Sequence, residues 1–375
     1  MDQKNKNYDI FQAVDIITKK LPAKKIELKN YININSGFYV ANDIKITKNI
    51  PEYNQSSMDG IGVSQISKKY KIVGKTDLSI LNKKNIKKGE CLIVKTGSLL
   101  NKSIKKVIPI EDLKKEKNNY IHLSNTKINF IRKIGHIVKK NTLVLKKNKK
   151  ILDKDIQFIK HSKIKKIKII KPLSFSLIAT GNEFINNKNF KPTNLDYLER
   201  FLIKNNQIIQ KIKIIGDNQK KLDYIIKNNN SNIIIVIGGT GKSEDDFNFD
   251  NKNLFINGLD LKPGKPFKAM RLKNKIIIFF PGNPCSNFVL TNILLKGILY
   301  KYFCNKKIIF KNLNKKIPHL LNKFKRKSFL FGSKINNSVM IFQDQESSNI
   351  YNIVKSNILV YYDKTKNLRY IDIDD

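Results

Sequence analysis

Residues 233–247 read IIIVIGGTGKSEDDF, and this stretch decides the fold. Its first five residues are all β-branched and apolar, which predicts a strand buried on both faces. The Gly238-Gly239 pair predicts a tight turn after the strand, and the acidic group Glu244, Asp245 and Asp246 follows. A buried strand that leads into a glycine-rich loop is typical of a parallel sheet covered by helices.

The same pattern continues on both sides of this stretch. Strand-like runs occur at 174–181 (SFSLIATG), 209–216 (IQKIKIIG) and 276–282 (IIIFFPG), and helix-like runs at 194–206 (NLDYLERFLIKNN) and 218–229 (NQKKLDYIIKNN). This succession predicts an α/β domain with a mostly parallel sheet and helices on both faces. Ligands of such sheets bind at the carboxyl ends of the strands, so the glycine-bearing loops are candidate site elements.

The rest of the chain reads mostly as β structure. Apolar residues with helical spacing run from residue 8 to 21, and Pro22 ends that pattern. Short apolar runs separated by Lys, Asn and Gly fill residues 25–171 and indicate strands. Further strand-like runs after residue 311 predict a small C-terminal β domain. A chain of 375 residues is long enough for several domains.

The formal net charge of +43 is a feature of nucleic-acid-binding proteins, because clustered Lys and Arg neutralise phosphates. However, only five of the 73 basic residues are arginine, and lysines occur in every segment. Arginine is the preferred residue for hydrogen bonds to bases and phosphates, so a nucleic-acid-binding surface would be expected to contain it. We attribute the charge to codon bias and expect no nucleic-acid partner.

The cysteines and the apolar segments indicate the compartment. Cys91, Cys285 and Cys304 are odd in number and far apart, which supports neither a disulfide framework nor a CxxC metal site. No apolar stretch reaches the length of a membrane span, and the first residues lack the apolar core of a signal peptide. We therefore expect a cytoplasmic protein without membrane contact.

The GGTG loop has the chemistry of a phosphate-binding loop. Glycine lets backbone N–H groups approach an anionic ligand and form a concave nest. A carboxylate that follows, with Asp246 as the candidate, can hold a divalent cation that bridges to phosphate. Taken alone, the same residues also make an ordinary strand-to-helix turn, so the interpretation depends on the neighbouring motifs.

Four further turns carry polar or charged groups. LDLKPGKPFKAM (259–270) places Lys262 and Lys265 around a Pro-Gly turn. In PGNPCS (281–286), Asn283 is a candidate N-cap, which would leave the N–H groups of residues 285–287 free for an anion. The same residues would also be needed if this N-cap had only a structural role. SLIATGNEF (176–184) and SSMDGIG (56–62) are the other two turns.

In the order SSMDG, KTG, ATGNE, TNxxxL, IGD, GGTGxxEDD, KPGKP and PGNP, these motifs resemble one family, the molybdopterin molybdenumtransferases of the MoeA/gephyrin-E type. SSMDGIGV (56–63) resembles the family's S-x-M-D-G-[YF]-A-V. GECLIVKTGSLL (89–100) resembles its G-x-x-x-x-I-x-T-G-[AC]-x-[LVP] turn, and PGNPCS its P-G-N-P-x-[SA]. RKSFLFG, around Arg326, resembles a weaker C-terminal motif.

The resemblance implies an elongated homodimer of four-part subunits. The first two implied parts are a β-rich domain I that also serves as a linker (1–26, 44–52 and 132–171) and a β-rich domain II (27–43 and 53–131). The other two are a molybdopterin-binding α/β domain III similar to the MogA/MoaB fold (172–310) and a small, β-barrel-like domain IV (311–375).

The resemblance also implies a reaction. The family inserts molybdate into adenylylated molybdopterin with release of AMP, in a step that depends on Mg²⁺ or another divalent cation. This is the last step of molybdenum-cofactor synthesis, so contact with a molybdopterin adenylyltransferase is a further implied partner.

Residue roles follow from the same resemblance. Catalytic roles fall to Asp59, Asp246, Thr96 and Glu183, with Asp59 and Asp246 also as metal ligands. Binding of pterin, phosphate or molybdate falls to a larger set: Thr180, Gly181, Asn194, Asp217, Gly238, Gly239, Thr240, Gly241, Lys262, Lys265, Pro281, Gly282, Asn283, Pro284, Ser286 and Arg326. For Asp217, a structural role as N-cap of the next helix is the alternative.

The chain departs from the family pattern at three places. Ile137 stands where the pattern R-x-x-G-x-D has its Asp, and an Ile side chain can neither ligate a cation nor accept a proton. Gly258 replaces the usual basic residue four positions before KPGKP. GGTG is closer to the MogA/MoaB adenylyltransferases than to the family's usual GG-x-S-x-G.

These departures leave two alternative functions. The missing Asp favours a noncatalytic molybdopterin carrier or scaffold, which would bind its ligand without turnover. The GGTG loop favours a molybdopterin adenylyltransferase similar to MogA/MoaB, which would consume ATP. The match of the N-terminal motifs argues against this second alternative.

Overall fold

The computed structural model describes residues 8–123, 128–162, 164–187, 189–239, 247, 253–313, 326–336, 338–364 and 368–373. The chain divides into two compact units. Unit 1 comprises Met1–Ala41, Asn148–Ile156 and Lys168–Asp375, and unit 2 comprises Asn42–Lys147 and Gln157–Ile167. The finer division into four domains stays a prediction.

The described residues form eight α-helices, numbered in chain order: α1 (Ile10–Lys20), α2 (Asp153–His161), α3 (Asn182–Asn186), α4 (Thr193–Lys204), α5 (Gln219–Lys227), α6 (Pro284–Val289), α7 (Lys296–Cys304) and α8 (Tyr351–Lys355). A π-helical segment, Leu290–Leu295, joins α6 to α7, so residues 284–304 run as one continuous helix.

The strands of the described residues, in chain order, are β1 (Ile26–Asn30), β2 (Tyr39–Val40), β3 (Ile44–Lys45), β4 (Asn54–Ser56), β5 (Gly60–Val63), β6 (Lys69–Lys75), β7 (Glu90–Val94), β8 (Leu99–Leu100), β9 (Lys106–Pro109), β10 (Leu113–Glu116), β11 (Asn119–His122), β12 (Ile131–Arg132), β13 (Leu143–Leu145), β14 (Lys166–Ile170), β15 (Ser174–Thr180), β16 (Ile208–Ile215), β17 (Ile233–Ile237), β18 (Leu254–Asn257), β19 (Lys268–Leu272), β20 (Lys275–Phe280), β21 (Lys311–Leu313), β22 (Ser328–Ile335), β23 (Ser338–Ile341), β24 (Ile358–Tyr362) and β25 (Leu368–Asp372).

The largest sheet of unit 1 is the predicted α/β sheet. Its strand order is β16-β15-β17-β20-β19-β18. The first four strands are parallel, and β19 and β18 run antiparallel to their neighbours. The prediction of an α/β domain with a mostly parallel sheet is therefore confirmed.

Both faces of this sheet are covered by helices. Ile233, Ile235 and Ile237 of β17 belong to an apolar cluster that also contains residues of α1, α4 and the long helix 284–304. The alternate residues of β17 pack with Leu222 and Ile226 of α5 on the other face. Successive strand residues point to opposite faces, so a strand buried on both faces needs the continuous apolar run seen in the sequence.

Strand β16 departs from this expectation. Its isoleucine-rich sequence resembles that of a buried strand, yet β16 is the edge strand of the sheet. Ile208, Ile212 and Ile214 are 41%, 37% and 42% exposed. The prediction of burial on both faces is wrong for this strand, because a residue pattern does not specify which strand takes the edge.

The N-terminal helix and the C-terminal sheet share the core of unit 1. Asp9 caps α1, where its carboxylate accepts from the N–H of Phe11 at 2.8 Å and Gln12 completes a capping box. Ile10 and Ile17 of α1 lie in the same apolar cluster as Phe329 of the C-terminal sheet. That sheet has the order β21-β25-β24-β22-β23, which confirms the predicted C-terminal β region.

Unit 2 is built mainly from strands, as the sequence predicts. Its main sheet has the order β10-β11-β6-β7-β5-β9, and two smaller sheets have the orders β12-β4-β8 and β13-β3. The core of the main sheet contains Ile61, Val63, Tyr70, Cys91 and Ile108. Across both units, no helix in the described ranges has the length and apolar character needed to cross a membrane.

Candidate functional site

Gly238 and Gly239 follow the buried strand β17 and form a turn that other residues do not fit. Their φ angles are +103° and +57°. A Cβ atom on Gly238 would lie 2.6 Å from Oγ1 of Thr180, and one on Gly239 would lie 2.4 Å from the ring of Phe247. The predicted tight turn is therefore present. Thr240, Gly241 and Asp246 lie outside the described residues.

The turn after β15 lies beside this glycine turn, because β15 and β17 are neighbouring parallel strands. Thr180 is buried, and its hydroxyl donates to the carbonyl of Ile237 at 3.2 Å. A Cβ atom on Gly181 would lie 2.4 Å from both carboxylate oxygens of Glu183, so this carboxylate lies directly over the glycine. Thr180 thus shapes the turn, and Glu183 presents an exposed acid next to it.

Asp217 and Asn182 join the turns after β16 and β15. The N–H of Asn182 donates to Oδ2 of Asp217 at 3.0 Å, and the N–H of Asp217 donates to Oδ1 of Asn182 at 3.1 Å. Asn218, not Asp217, caps helix α5 by accepting from the N–H of Lys221. The alternative of an N-cap role for Asp217 is therefore wrong. Asn182, part of the ATGNE motif, is a positioning residue missing from the predicted set.

The PGNP turn has the predicted N-cap but fewer free donors than predicted. Asn283 accepts from the N–H of Ser286 at 3.2 Å, and Pro284 takes the first helical turn. The N–H of Asn287 donates to the carbonyl of Asn283 at 3.0 Å. Two of the three N–H groups predicted to be free are thus used within the turn itself, and the buried Ser286 would contribute to a ligand only through its hydroxyl.

Gly282 brings the PGNP turn against the glycine turn. A Cβ atom on Gly282 would have Cα of Gly238 as its nearest neighbour, at 3.8 Å. The side-chain amide of Asn194, on α4, donates to the carbonyl of Gly282 at 2.7 Å. Pro281, just before it, is buried. Asn194 therefore acts on the backbone of the turn and fixes its position.

Cys285, in the same turn, is buried. Its thiol donates to the carbonyl of Asn349 at 3.4 Å. Burial, with a smaller contribution from the charge of Asp344, raises the pKa of Cys285 to about 11. A thiol with such a pKa is protonated at neutral pH and reacts poorly.

The lysine turn at 262–265 lies at the same end of the sheet. Strand β19 begins at Lys268, opposite Phe279 near the end of β20, so the turn before β19 lies at the carboxyl end of β20. The N–H of Lys262 donates to the carbonyl of Lys327 at 2.9 Å, and the N–H of Phe329 donates to the carbonyl of Lys262 at 2.9 Å. This pairing brings Arg326 next to the turn, and the side chains of Lys262, Lys265 and Arg326 are all exposed.

These segments, which we term the carboxyl-end loops, form a series across one end of the sheet. In the order of the strands they are Gly216-Asp217, residues 180–183, Gly238-Gly239, residues 281–286, and residues 258–267. Neighbouring strands are about 4.8 Å apart, so the four steps from β16 to β19 separate Asp217 from the lysine turn by about 19 Å. Asp217 and Glu183 lie at one end of this series, and Lys262 and Lys265 lie at the other, where Asp260 is paired with Lys364 at 3.8 Å. This arrangement suits an extended ligand.

Asp59 and Thr96 meet in unit 2. Oδ1 of Asp59 accepts from the N–H of Thr96 at 2.7 Å and from its hydroxyl at 2.8 Å. These bonds, first that from the backbone and then that from the hydroxyl, lower the pKa of Asp59. The SSMDG and KTG motifs therefore build one exposed carboxylate that stays ionised at neutral pH.

Two departures from the family pattern have a clear local geometry. Ile137 is 51% exposed and lies in a turn, where its N–H donates to the carbonyl of Ile50 at 3.0 Å. Gly258 has φ +95°, a conformation that a lysine or arginine would adopt only with strain. The absence of a basic side chain at 258 therefore follows from the backbone, whereas nothing in the structure requires an isoleucine at 137.

Few side chains in the described ranges are placed to ligate a cation. No group of three or more His, Cys, Asp or Glu side chains suited to a metal ion lies within the described ranges. Mg²⁺ is commonly held by one or two carboxylates together with water and substrate phosphate, rather than by a cage of protein ligands. The ionised carboxylate of Asp59 fits that mode of binding.

Comparisons with known proteins agree with this architecture. Residues 8–161 match the family described as "MoeA N-terminal region (domain I and II)", and residues 176–301 match the "Probable molybdopterin binding domain". A relative from Methanocaldococcus jannaschii, named for molybdopterin biosynthesis, is 27% identical over 292 residues and 71% of each chain. The molybdopterin molybdenumtransferase of Haemophilus influenzae is 24% identical over 70% of this chain and 69% of its own.

The fold is shared with a solved structure over nearly its full length. The crystal structure of the molybdopterin biosynthesis MoeA protein from Pyrococcus horikoshii covers 98% of this chain and 100% of its own, with a TM-score of 0.71 and 19% identity. The two matched regions together span most of this chain. In its two matched regions and in its fold, the chain is similar to the MoeA proteins.

Proposed function

We propose that the protein is a molybdopterin molybdenumtransferase, which inserts molybdate into adenylylated molybdopterin and releases AMP. The observation that carries this proposal is the series of carboxyl-end loops, which runs from Asp217 to the lysine turn over about 19 Å. The name of the Haemophilus influenzae relative supports the same activity. By analogy with the family, we place the reaction in the cytoplasm and in a homodimer that receives its substrate from a molybdopterin adenylyltransferase.

The cationic half of the loop series would hold the phosphates. Gly238 and Gly239 carry no side chain, so their backbone can approach an oxyanion closely. Lys262, Lys265 and Arg326 would supply positive charge two strands away, at about 10 Å from the glycine turn. That separation suits the two ends of a phosphoanhydride linkage better than a single phosphate.

The acidic half would hold a different part of the substrate. A carboxylate repels phosphate unless a cation lies between them, but it accepts readily from the N–H groups of a heterocycle. Glu183 is exposed beside Gly181, and Asp217 is held in place by Asn182. We therefore assign Glu183 and Asp217 to the pterin or to a bridging cation.

Asp59 and Thr96 would act on the metal or on molybdate. Thr96 keeps Asp59 ionised through two hydrogen bonds to one oxygen, which leaves Oδ2 available for a cation. Mg²⁺ held at Asp59 would neutralise the charge of molybdate oxygens. Loss of the ionised carboxylate would therefore affect turnover more than binding of the pterin.

One observation favours a second function, that of a noncatalytic molybdopterin carrier. Ile137 replaces the usual acid with an exposed apolar side chain. A carrier would keep the loop series and bind the pterin, but it would not need the carboxylate. Binding without turnover, together with turnover restored in Ile137→Asp, would identify the present chain as a carrier.

The test is the formation of active cofactor, read from the activation of a cofactor-free molybdenum enzyme. Purified protein would receive adenylylated molybdopterin, molybdate and Mg²⁺. We expect activation with the natural chain and with Glu116→Gln, which changes an acid at the β10–β11 hairpin of unit 2. Asp59→Asn should reduce the rate about a hundredfold or more while the pterin still binds. Equal rates for the Asp59 and Glu116 variants would exclude the role assigned to Asp59.

A further inference from the structure

A cavity lies at the opposite end of the α/β sheet from the carboxyl-end loops. Its volume is about 440 Å³, within the range of about 300–1,000 Å³ typical of small-molecule sites. The cavity is lined by the chain just after α1, by the segments that precede β15 and β17, by the start of β16 and by the turn between β19 and β20. All of these segments belong to unit 1.

The lining of this cavity contains no carboxylate. It contains four cationic side chains, those of Lys20, Lys25, Lys171 and Arg271. The N–H of Lys171 donates to the carbonyl of Lys25 at 2.7 Å, so two of the cations lie on paired backbone segments. None of the four forms an ion pair with any residue in the described ranges. Lys25, Lys171 and Arg271 are exposed, so their charges are accessible to an anion that enters the cavity.

Arg271 distinguishes this cavity from the lysine-rich surface in general. It is one of only five arginines in the chain. Its Nε donates to the carbonyl of Lys273 at 3.0 Å, which orients the guanidinium and leaves its two terminal nitrogens available. A chain that uses lysine almost everywhere retains arginine where a planar fork of donors is required, as in phosphate recognition.

The remaining lining includes polar and apolar residues. Oδ1 of Asn232 accepts from the N–H and the hydroxyl of Ser174 at 2.9 and 3.0 Å. This fixes the orientation of the amide and leaves its NH₂ group as a donor. Leu21, Leu173 and Tyr302 supply apolar surface. The cavity therefore offers cations and an amide donor to an anion, and an apolar wall to carbon.

We propose that this cavity binds a small phosphate monoester, with its phosphate at Lys25, Lys171 and Arg271 and its carbon part against Leu173 and Tyr302. The site is independent of the proposed transferase function, because it lies at the amino ends of the parallel strands. A phosphate monoester carries two negative charges near neutral pH, which matches several cations better than a monoanion does.

The test is isothermal titration of the full chain with phenyl phosphate and with inorganic phosphate. Both titrations are made in a Lys262→Gln, Lys265→Gln background, which weakens anion binding at the carboxyl-end loops. We expect one saturable site for phenyl phosphate, with affinity reduced about tenfold or more by Lys171→Gln or Arg271→Gln. Lys220→Gln removes an exposed charge from α5, away from the cavity, and should leave affinity unchanged.

Each alternative result has a defined meaning. Weak binding without saturation, or equal losses in Lys220→Gln and Arg271→Gln, would show that the overall charge attracts the anion, and the site would be rejected. Equal affinities for phenyl phosphate and inorganic phosphate would overturn the role of the apolar wall. The unfolding temperature of Arg271→Gln is the control for folding. If it is unchanged, a loss of binding in this variant is due to the site and not to the fold.

Discussion

At the scale of single residues, two glycines of the carboxyl-end loops provide a matched pair. Gly238 has φ +103° and no room for a methyl group, because Oγ1 of Thr180 would lie 2.6 Å from it. Gly282 has no such φ, and its nearest neighbour would be 3.8 Å away. We predict that Gly238→Ala lowers the free energy of unfolding by about 1–3 kcal/mol and weakens pterin binding. Thermal unfolding and equilibrium binding measure both effects.

Gly282→Ala is the control for that prediction. Its methyl group would make only an ordinary contact with Cα of Gly238, so we expect a change in stability below about 0.5 kcal/mol. If the two alanine variants behaved alike, the close packing of the glycine turn against Thr180 would be contradicted.

The pair Asp59 and Thr96 gives a prediction about pH. Hydrogen bonds from Thr96 lower the pKa of Asp59, so this carboxylate stabilises the fold above the unfolded pKa of about 3.9 and loses that effect as pH falls through the lower folded pKa. Thr96→Val removes the hydroxyl but keeps the N–H, and we expect it to raise the pKa of Asp59 towards the ordinary value. An NMR titration of the Asp59 carboxyl would detect this change, and an unchanged midpoint would contradict it.

Ile137 is the residue on which the choice between enzyme and carrier depends most. An aspartate at this exposed turn position would have no burial cost, because the isoleucine is already 51% exposed. We predict that Ile137→Asp leaves the unfolding temperature unchanged and raises the rate of cofactor formation. Ile134→Asp, at an equally exposed position of the same turn, is the control and should not raise the rate.

At the scale of elements, the sequence predicts whether a segment is a helix or a strand better than it predicts the position of that segment in the fold. The continuous apolar run of β17 correctly indicates a buried strand, whereas the isoleucines of β16 lie on an exposed edge. Asn283 is the N-cap, as predicted. However, its side chain and its carbonyl accept from two of the N–H groups that were expected to be free for an anion. Local patterns encode conformation, while the use of each donor depends on packing.

Lys275 shows a role that the pattern of β20 does not reveal. This lysine is only 9% exposed, and its ammonium donates to the carbonyls of Ile226 at 2.8 Å and Lys227 at 3.0 Å, at the end of α5, and also to Asn229. Cations stabilise the carboxyl ends of helices, where carbonyls lack partners. We predict that Lys275→Met lowers the free energy of unfolding by about 1–3 kcal/mol, measured by urea unfolding.

A neighbouring lysine is the control for this helix cap. Lys227→Met removes an exposed charge from the same helix end, and its side chain is not part of the cap. We expect a change within about 0.5 kcal/mol. A similar loss in both variants would show that general charge, not the bonds of Lys275, stabilises α5.

At the scale of the whole molecule, the order of the loops is the part that the sequence does not reveal. Asp217 lies between Thr180 and Gly238 in the chain, yet it follows the edge strand and lies at one end of the series. The lysine turn precedes the PGNP turn in the chain but lies beyond it in space. Strand order depends on crossover connections, so motifs reveal the members of the series but not their arrangement.

The most direct test of the central claim is single-turnover release of AMP from adenylylated molybdopterin, with and without molybdate, in the presence of Mg²⁺. The account predicts release by the natural chain that depends on molybdate, and a rate about a hundredfold lower in Asp59→Asn. Tight binding of the adenylylated pterin with no AMP released under any of these conditions would contradict the transferase and identify a carrier.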